Sequence, residues 1–407
     1  MKKIVIFGGG SGLSQILKGL KLFPVEITAV VSVSDNGAST GRLRKDLHIP
    51  AVGDISKVML SMSNANQDII KLMNYRFTKS RTLGNHSIKN LLLSALLDMK
   101  GNFNDAIPIM MDLLDIDGTI LPLTEDNANL VGITKSKKKI IGEEQITKCA
   151  SQILKVTYDK EITINPKVLN AVNEADLIIF SSGSLLTSIT PHLINKTLNK
   201  AIKSSLAKKL YICNLFTQPG ETDNFKVSDH IKWLEKYLGK NVINIVLANN
   251  QKLDSNLVNI YQTQEQKDPV ILDINTLNTM NIEVISDNLA KVENDVYRHD
   301  ALKTAYLIFS YLMDHEKYIV FLKFLCYDIL PIRKGGLFME IKDIIRQIEW
   351  TREYIKITTN NQSHMDYLDA LEANILSSTK EKPSTKYYDD TVLTNIELSF
   401  ETTSHSR

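Results

Sequence analysis

The first 20 residues pass from an apolar run to a helical pattern across a group of glycines. Residues 4–7, IVIF, are continuously apolar and mostly β-branched, which is typical of a parallel strand buried on both faces. After the glycine-rich residues 8–12, apolar side chains return at positions 13, 16, 17 and 20, the spacing of one helix face. The pattern therefore predicts a buried strand, a tight turn and a helix in direct succession.

Strand and helix patterns continue to alternate along the chain. Further apolar runs predict strands at 27–33, 176–181, 209–214 and 242–249. Asp54 is placed as the N-cap of a helix whose apolar residues follow at helical spacing, and residues 91–97 predict a buried helix. Alternation of this kind predicts an α/β fold in three layers, with helices on both faces of a mostly parallel sheet.

Three segments depart from this alternation. Residues 119–146 contain ILPLT, LVGIT and KIIGEEQI, which predict short antiparallel strands and a small β insertion. Residues 318–376 carry two apolar stripes at helical spacing and predict a helical extension. Residues 377–407 are polar and predict a flexible tail. The α/β frame is accordingly assigned to residues 1–317.

Composition argues against a nucleic-acid-binding, a disulfide-rich or a membrane-spanning protein. The 407 residues carry a formal net charge of +2, so no broad basic surface points to a nucleic-acid partner. The three cysteines lie far apart, with neither metal-site nor disulfide spacing, which suits a reducing cytoplasm. No apolar stretch reaches the roughly 18 residues of a membrane span, and the amino terminus lacks a signal-peptide pattern. We expect a cytoplasmic protein without a membrane span, and the sequence leaves a homo-oligomer open.

The glycine turn predicts a phosphate site. Glycines have no Cβ atom, so the backbone N–H groups of residues 8–12 can close on an anion at a helix N-terminus, and Ser11 adds a hydroxyl. Leu13 occupies the place of the third glycine in the dinucleotide fingerprint, which disfavours an NAD-dependent dehydrogenase. The alternative interpretation of the glycines is an ordinary tight turn.

The segment after the second predicted strand, SDNGASTGRLRKD, is rich in groups that bind nucleotides. Asp35 is placed like the acid that accepts a hydrogen bond from a ribose hydroxyl, and Ser39 and the Gly41 backbone can hold more of a ligand. Arg42 and Arg44 can pair with phosphate through their guanidinium groups. The alternative is a surface turn with solvated charges.

Two later strand ends carry further polar loops. Gly183 and Ser184 stand before a helical segment with more hydroxyls and predict a second anion-binding turn, or an ordinary N-cap. Residues 214–224, NLFTQPGETDN, are rich in amides and hydroxyls that could read a base edge or sugar hydroxyls. In open α/β sheets ligands bind at the carboxyl ends of the strands, so we expect these loops to border one site.

The last polar motif of the α/β frame is VYRHD, residues 296–300. Arg298 and His299 stand just before an apolar helix that Asp300 could cap, and His299 alone is more often a structural histidine than a catalytic one. No nucleophile elbow, paired-cysteine metal site or HExxH motif occurs in the chain. The residues therefore favour binding of a phosphorylated, nucleotide-like ligand over any particular reaction.

Taken together, these motifs occur in the order found in one known family. IVIFGGGSGLS, SDNGASTGRLR, SGSLLTS, NLFTQPGET and YRHD, spread over about residues 1–310, resemble the YvcK-like gluconeogenesis factors, relatives of 2-phospho-L-lactate transferase and its CofD-like fold. The resemblance implies a Rossmann-like core, a bacterial cytoplasmic protein and a UDP-sugar ligand such as UDP-N-acetylglucosamine. It also implies a regulatory role in cell shape and cell-wall supply during gluconeogenic growth.

Residue by residue, the resemblance implies one set of nucleotide and phosphate contacts. They are Gly8, Gly9, Gly10, Ser11, Gly12 and Leu13 in the first turn, Asp35, Asn36, Ser39, Gly41 and Arg42 in the second loop, Asn90, then Gly183, Ser184, Leu185, Thr187 and Ser188, and finally Asn214, Thr217, Gln218 and Arg298. The chain departs from the family pattern at several of these loops. Ser181 and Ser182 replace a Gly-Pro pair, and Ser56 replaces an arginine.

Two functions stay open at this point. The lack of a recognisable general base favours a binding and regulatory protein over an enzyme, and no catalytic residue, metal or further cofactor is assigned to it. The alternative is a transferase of the 2-phospho-L-lactate type that acts on a nucleotide-linked phosphoester. In that case Asp35 and Asp54 would hold a divalent metal.

Overall fold

The predicted α/β sheet is present in the computed structural model, which describes residues 1–77, 80, 83–149 and 151–313. The predicted boundary at residue 317, the helical extension at 318–376 and the tail at 377–407 lie outside the described residues. Strands run over β1 (Lys2–Gly8), β2 (Val25–Val31), β3 (Thr119–Pro122), β4 (Leu130–Thr134), β5 (Lys139–Ile141), β6 (Ile153–Tyr158), β7 (Leu177–Phe180), β8 (Lys208–Ile212), β9 (Ile245–Asn249), β10 (Glu283–Asp287), β11 (Ala290–Glu293) and β12 (Val296–His299).

Helices connect these strands. They are α1 (Gly10–Leu20), α2 (Ala38–Asp46), α3 (Gly53–Met62), α4 (Gln67–Asn74), α5 (Ile88–Lys100), α6 (Phe103–Leu113), α7 (Glu143–Thr147), α8 (Pro166–Glu174), α9 (Lys196–Ser204), α10 (Val227–Leu238), α11 (Ser255–Ile260), α12 (Ile274–Thr279) and α13 (Ala301–Leu312). Shorter π or 3₁₀ turns cover Leu185–Ile189, Thr190–Leu193 and Tyr261–Glu265. None of the helices within the described ranges combines the length and the low polarity that crossing a bilayer requires.

Seven strands of the described chain form one sheet in the order β10-β9-β8-β7-β1-β2-β3, and every neighbouring pair is parallel. The chain runs outward from β1 to β3 on one side and from β7 to β10 on the other. The strand order therefore reverses between β1 and β7, and the crevice at their carboxyl ends is where doubly wound sheets bind ligands.

The core has two layers because successive side chains of a strand point to opposite faces of the sheet. Ile4 and Ile6 pack on one face together with Leu13 and Ile16 of α1. Phe7 packs on the other face, among residues contributed by helices on that side. The Rossmann-like α/β fold with helices on both faces is thus confirmed.

The prediction for residues 119–146 needs correction. ILPLT was expected to be an antiparallel strand of the insertion, but β3 pairs in parallel with β2 at the edge of the main sheet. The separate antiparallel sheet consists of β4, β5 and β6, and KIIGEEQI divides between β5 and α7. Gly142, with a φ of +97°, ends the strand, and two glutamates follow in the first turn of α7, where a helix N-terminus favours negative charge.

Asp54 is also not the N-cap that its position suggested. Helix α3 begins at Gly53 after Val52, without a side-chain cap, so Asp54 lies inside the first turn. Its carboxylate accepts a hydrogen bond from the Gly10 backbone instead. The side chain thereby ties α3 to the glycine turn, a long-range contact that the local pattern around residue 54 does not reveal.

His192 lies beneath the start of the glycine turn. Its Nε2 hydrogen-bonds the Gly8 carbonyl oxygen at 3.1 Å, and its ring centroid lies 5.3 Å from that of Phe7. Burial lowers the pKa of His192 from 6.5 to about 4. The unfolded chain therefore takes up a proton first as the pH falls, and the contribution of His192 to stability, complete above about pH 6.5, is lost towards pH 4.

We expect His192→Gln to reduce the acid sensitivity of the fold. At pH 5 the linkage of His192 lowers the free energy of unfolding by about 2 kcal/mol relative to pH 7.5, and glutamine removes that difference because it does not titrate. Urea unfolding of both proteins at the two pH values measures this difference independently of any uniform destabilisation by the substitution. An equal decrease in both proteins would contradict the assignment.

Candidate functional site

A cavity of about 350 Å³ opens at the carboxyl ends of β1, β7 and β8. Such a volume lies within the range of ligand pockets in proteins. The predicted residues that line it are Gly9, Gly10, Ser11, Gly12, Gly183, Ser184, Ser188, Asn214, Thr217, Gln218 and Arg298. Residues from three separate sequence motifs and the late arginine thus meet at the point where the strand order reverses.

Two glycines of the first turn are required by its geometry. Gly10 has a φ of +60°, in the left-handed region that other residues rarely adopt, and it begins α1. Gly12 packs directly on the next turn, since a Cβ atom added there would overlap the Ser182 carbonyl oxygen. Helix α1 starts without a capping side chain of its own and without an acidic residue in its first turn, which favours an anion at its N-terminus, but Asp54 of α3 already accepts from the Gly10 N–H.

The turn after β7, which contains Gly183 and Ser184, is held by a network of hydrogen bonds with the loop after β8. Asn214 accepts from the Gly183 N–H through Oδ1 at 2.9 Å and donates to the Gly183 carbonyl through Nδ2 at 2.7 Å. Ser184 donates to the Glu221 carboxylate at 2.8 Å and accepts from the Thr187 N–H at 3.0 Å. The loops after β7 and β8 are therefore fixed relative to one another before any ligand binds.

Glu221 is buried within this network. Burial raises its pKa to about 7, and the hydrogen bond from Ser184 acts in the opposite direction. In the sequence Glu221 stands out only as part of the NLFTQPGET motif, whereas in the structure it has a structural role. The Glu221 side chain orients the Ser184 hydroxyl at the start of the turn after β7.

Three carboxylates, those of Asp35, Asp54 and Glu143, lie near one another on the other side of the glycine turn. Burial and the neighbouring Asp35 and Asp54 raise the pKa of Glu143 well above its usual range. Burial likewise raises the pKa of Asp54 to about 6, against the effect of Lys57, whose Nζ lies 3.7 Å from Oδ1. Within the described ranges, no three His, Cys, Asp or Glu side chains converge as metal ligands. The two aspartates named for the transferase alternative, Asp35 and Asp54, do lie within electrostatic reach of one another and of Glu143, and a metal there stays a prediction.

Several predicted residues do not line this cavity. Asn36 accepts from the Glu144 N–H, Ser39 pairs with His86, Arg42 donates to the Gly84 carbonyl and Asn90 accepts from Ser56. Asp35 accepts from the Gly37 N–H, Gly41 packs against the Asn36 backbone, and Gly8, Leu13, Leu185 and Thr187 are buried. Their contact with a ligand stays a prediction.

Arg44 is a structural residue. Its guanidinium is buried and donates through Nε to Asn127 at 2.6 Å and through Nη2 to the Ala128 carbonyl at 2.7 Å. Both acceptors belong to the segment between β3 and β4. Arg44 thus anchors that segment to α2 through Nε and Nη2.

The residues of the YRHD motif have distinct roles. His299 is buried, its Nε2 hydrogen-bonds the Cys213 carbonyl at 3.0 Å, and burial lowers its pKa to about 4. Asp300 accepts from the Lys303 N–H and caps α13. These two structural predictions are confirmed. Arg298, by contrast, is exposed on β12, and both Arg298 and His299 line the cavity.

Aromatic and charged residues that no sequence motif predicted also line the cavity. Phe216 stacks on Tyr261 with 4.4 Å between the ring centroids, and Tyr297 lies 5.5 Å from Phe216. Glu265 and Lys267 follow Tyr261 in the chain and also line the cavity. An aromatic residue in a loop is a weak signal by itself, and only the folded chain brings these three rings together.

Comparisons with known proteins show the family of this chain. The family model described as 2-phospho-L-lactate transferase CofD matches residues 4–290. The gluconeogenesis factor of Bacillus subtilis is 38% identical over 313 residues, which cover 77% of this chain and 98% of that protein. A Thermotoga maritima protein with gluconeogenesis factor in its name is 42% identical over 315 residues, 75% of this chain and 98% of its own length. The chain belongs to the CofD-like family of gluconeogenesis factors.

A solved structure of the same family supports the fold. The crystal structure of protein BH3568 from Bacillus halodurans has a TM-score of 0.74 and 36% sequence identity, covering 76% of this chain and 99% of that chain. The family resemblance recognised from the motifs is thereby confirmed.

Proposed function

We propose that this chain binds a UDP-sugar of the UDP-N-acetylglucosamine type in the cavity and acts as a regulatory protein. The observation that carries the proposal is the convergence of two anion-binding elements and one cation. The N-terminus of α1 and the hydroxyl-rich turn after β7 border the same space as the exposed guanidinium of Arg298. A diphosphate is the ligand group that such a combination binds best.

The surroundings of the cavity favour binding over catalysis. The histidine that lines it, His299, is buried and uses Nε2 to hold the Cys213 carbonyl, so it is not placed to move a proton to or from a ligand. Glu221 is engaged by Ser184. We further propose the role that the family name indicates, in growth on gluconeogenic carbon, together with cell shape and cell-wall supply.

A ligand panel tests the proposal directly. UDP-N-acetylglucosamine should raise the melting temperature of the protein, because a ligand that binds only the native state stabilises it by about 2.7 kcal/mol at a hundredfold excess over Kd. GDP with Mg²⁺ and NADH serve as comparisons for the transferase and the dehydrogenase. A shift with GDP and Mg²⁺ alone would favour the transferase. Replacement of the Bacillus subtilis relative by this chain, followed by growth on gluconeogenic carbon, tests the cellular role.

A further inference from the structure

Two charged side chains in the cavity have no part in the phosphate site. Glu265 and Lys267 both line the cavity, and their carboxylate and ammonium groups lie 2.5 Å apart. Gln266 between them has a φ of +54°, so the chain turns sharply at this point. The Lys267 N–H donates to the Tyr261 carbonyl at 3.1 Å, which anchors the segment to the aromatic wall. The pair is 47% and 31% exposed and is therefore open to a ligand.

The pair is held next to the loop after β8. The Thr217 N–H donates at 2.8 Å to the carbonyl of Asp268, the residue after Lys267, so the segment that carries the pair packs on that loop. The glycine turn follows β1, and β7 lies between β1 and β8. Two strand spacings amount to about 10 Å. A nucleoside diphosphate whose phosphates lie at the glycine turn is long enough to bring its base towards this segment.

The aromatic wall of the cavity suits a flat ring. Phe216, Tyr261 and Tyr297 line the cavity next to the pair, and their rings pack against one another. Nucleobases have two apolar faces, and contact with aromatic side chains stabilises them. The base edge, which carries the hydrogen-bonding groups, would then meet Glu265 and Lys267.

A carboxylate beside an ammonium offers an acceptor next to a donor. Uracil presents a ring N–H beside a carbonyl, as does guanine, whereas cytosine and adenine present an unprotonated ring nitrogen beside an amino group. We propose that Glu265 accepts the ring N–H and Lys267 donates to the adjacent carbonyl, so that the pair selects uracil and guanine over cytosine and adenine. This inference rests on the proposed function and adds the part of the ligand that gives specificity.

Calorimetry with UDP and CDP tests the base-reading role. Wild-type protein should bind UDP at least tenfold more tightly than CDP. Hydrogen bonds to charged groups lead us to expect a ten- to hundredfold loss of UDP affinity in Glu265→Ala, with CDP affinity unchanged within threefold. Lys267→Ala should act in the same direction. Glu265→Lys replaces the acceptor by a donor and should shift the preference towards CDP.

Glu293→Ala is the matched control. Lys291 and Glu293 form an ion pair with the same spacing along the chain, at 3.7 Å and with similar exposure, but on β11 and not among the cavity-lining residues. This variant should retain the preference for UDP. Base reading would be overturned if wild-type protein binds UDP and the preference for UDP over CDP is unchanged in Glu265→Ala, Lys267→Ala and Glu265→Lys. The proposed function would be unaffected by that result. A wild-type protein that binds no nucleotide would overturn both.

Discussion

Gly12→Ala is expected to abolish UDP-sugar binding and to lower the melting temperature. The added Cβ atom overlaps the Ser182 carbonyl oxygen, so α1 and the turn after β7 must move apart. Overpacking of this kind costs about 1–3 kcal/mol of folding free energy. The same displacement separates the two turns that we propose to bind the phosphates, and we expect more than a hundredfold loss of affinity in calorimetry below the melting temperature.

The matched control for this prediction lies on the same helix. A Cβ atom at Gly19 overlaps the Ala301 carbonyl oxygen, where α1 packs against α13 and away from the cavity. Gly19→Ala should therefore lower the melting temperature to a similar extent while the folded protein retains its affinity. Equal losses of affinity in the two variants would show that destabilisation of α1, and not the shape of the glycine turn, governs binding.

Arg298→Ala should weaken UDP-sugar binding by roughly ten- to a hundredfold. A charge-assisted hydrogen bond from a guanidinium to phosphate or to a polar sugar group is worth about 1.5–3 kcal/mol. The melting temperature without ligand should stay the same, because the side chain is exposed and none of the ion pairs within the described ranges includes Arg298.

Lys291→Ala provides the control for Arg298. Lys291 lies directly opposite Arg298 in the antiparallel pair of β11 and β12, so its loss tests whether the hairpin needs a basic side chain there. Lys291 is not among the cavity-lining residues, and its replacement should leave binding intact. A loss below threefold in Arg298→Ala, in a folded protein, would assign Arg298 to the solvated surface.

Long-range contacts explain where the sequence predictions failed. ILPLT has the composition of any short strand, and its parallel partner β2 is about 90 residues earlier in the chain. Asp54 satisfies the local rule for an N-cap, but the backbone N–H group that it meets belongs to Gly10. A side chain's preference for accepting backbone N–H groups is a local property. Whether Asp54 accepts from its own helix or from Gly10 depends on which elements the fold brings together.

Strands β1, β2, β7, β8 and β9, the glycine turn and the cap at Asp300 could be predicted from the sequence alone. Hydrophobic periodicity, missing Cβ atoms and capping preferences act over only a few residues, so neighbouring positions carry the information. The cavity wall of Phe216, Tyr261 and Tyr297 and the pair of Glu265 and Lys267 were decided by tertiary structure alone. They come from loops after β8 and β9 and from β12, and what makes them one surface is the order of the strands in the sheet, which local patterns do not encode.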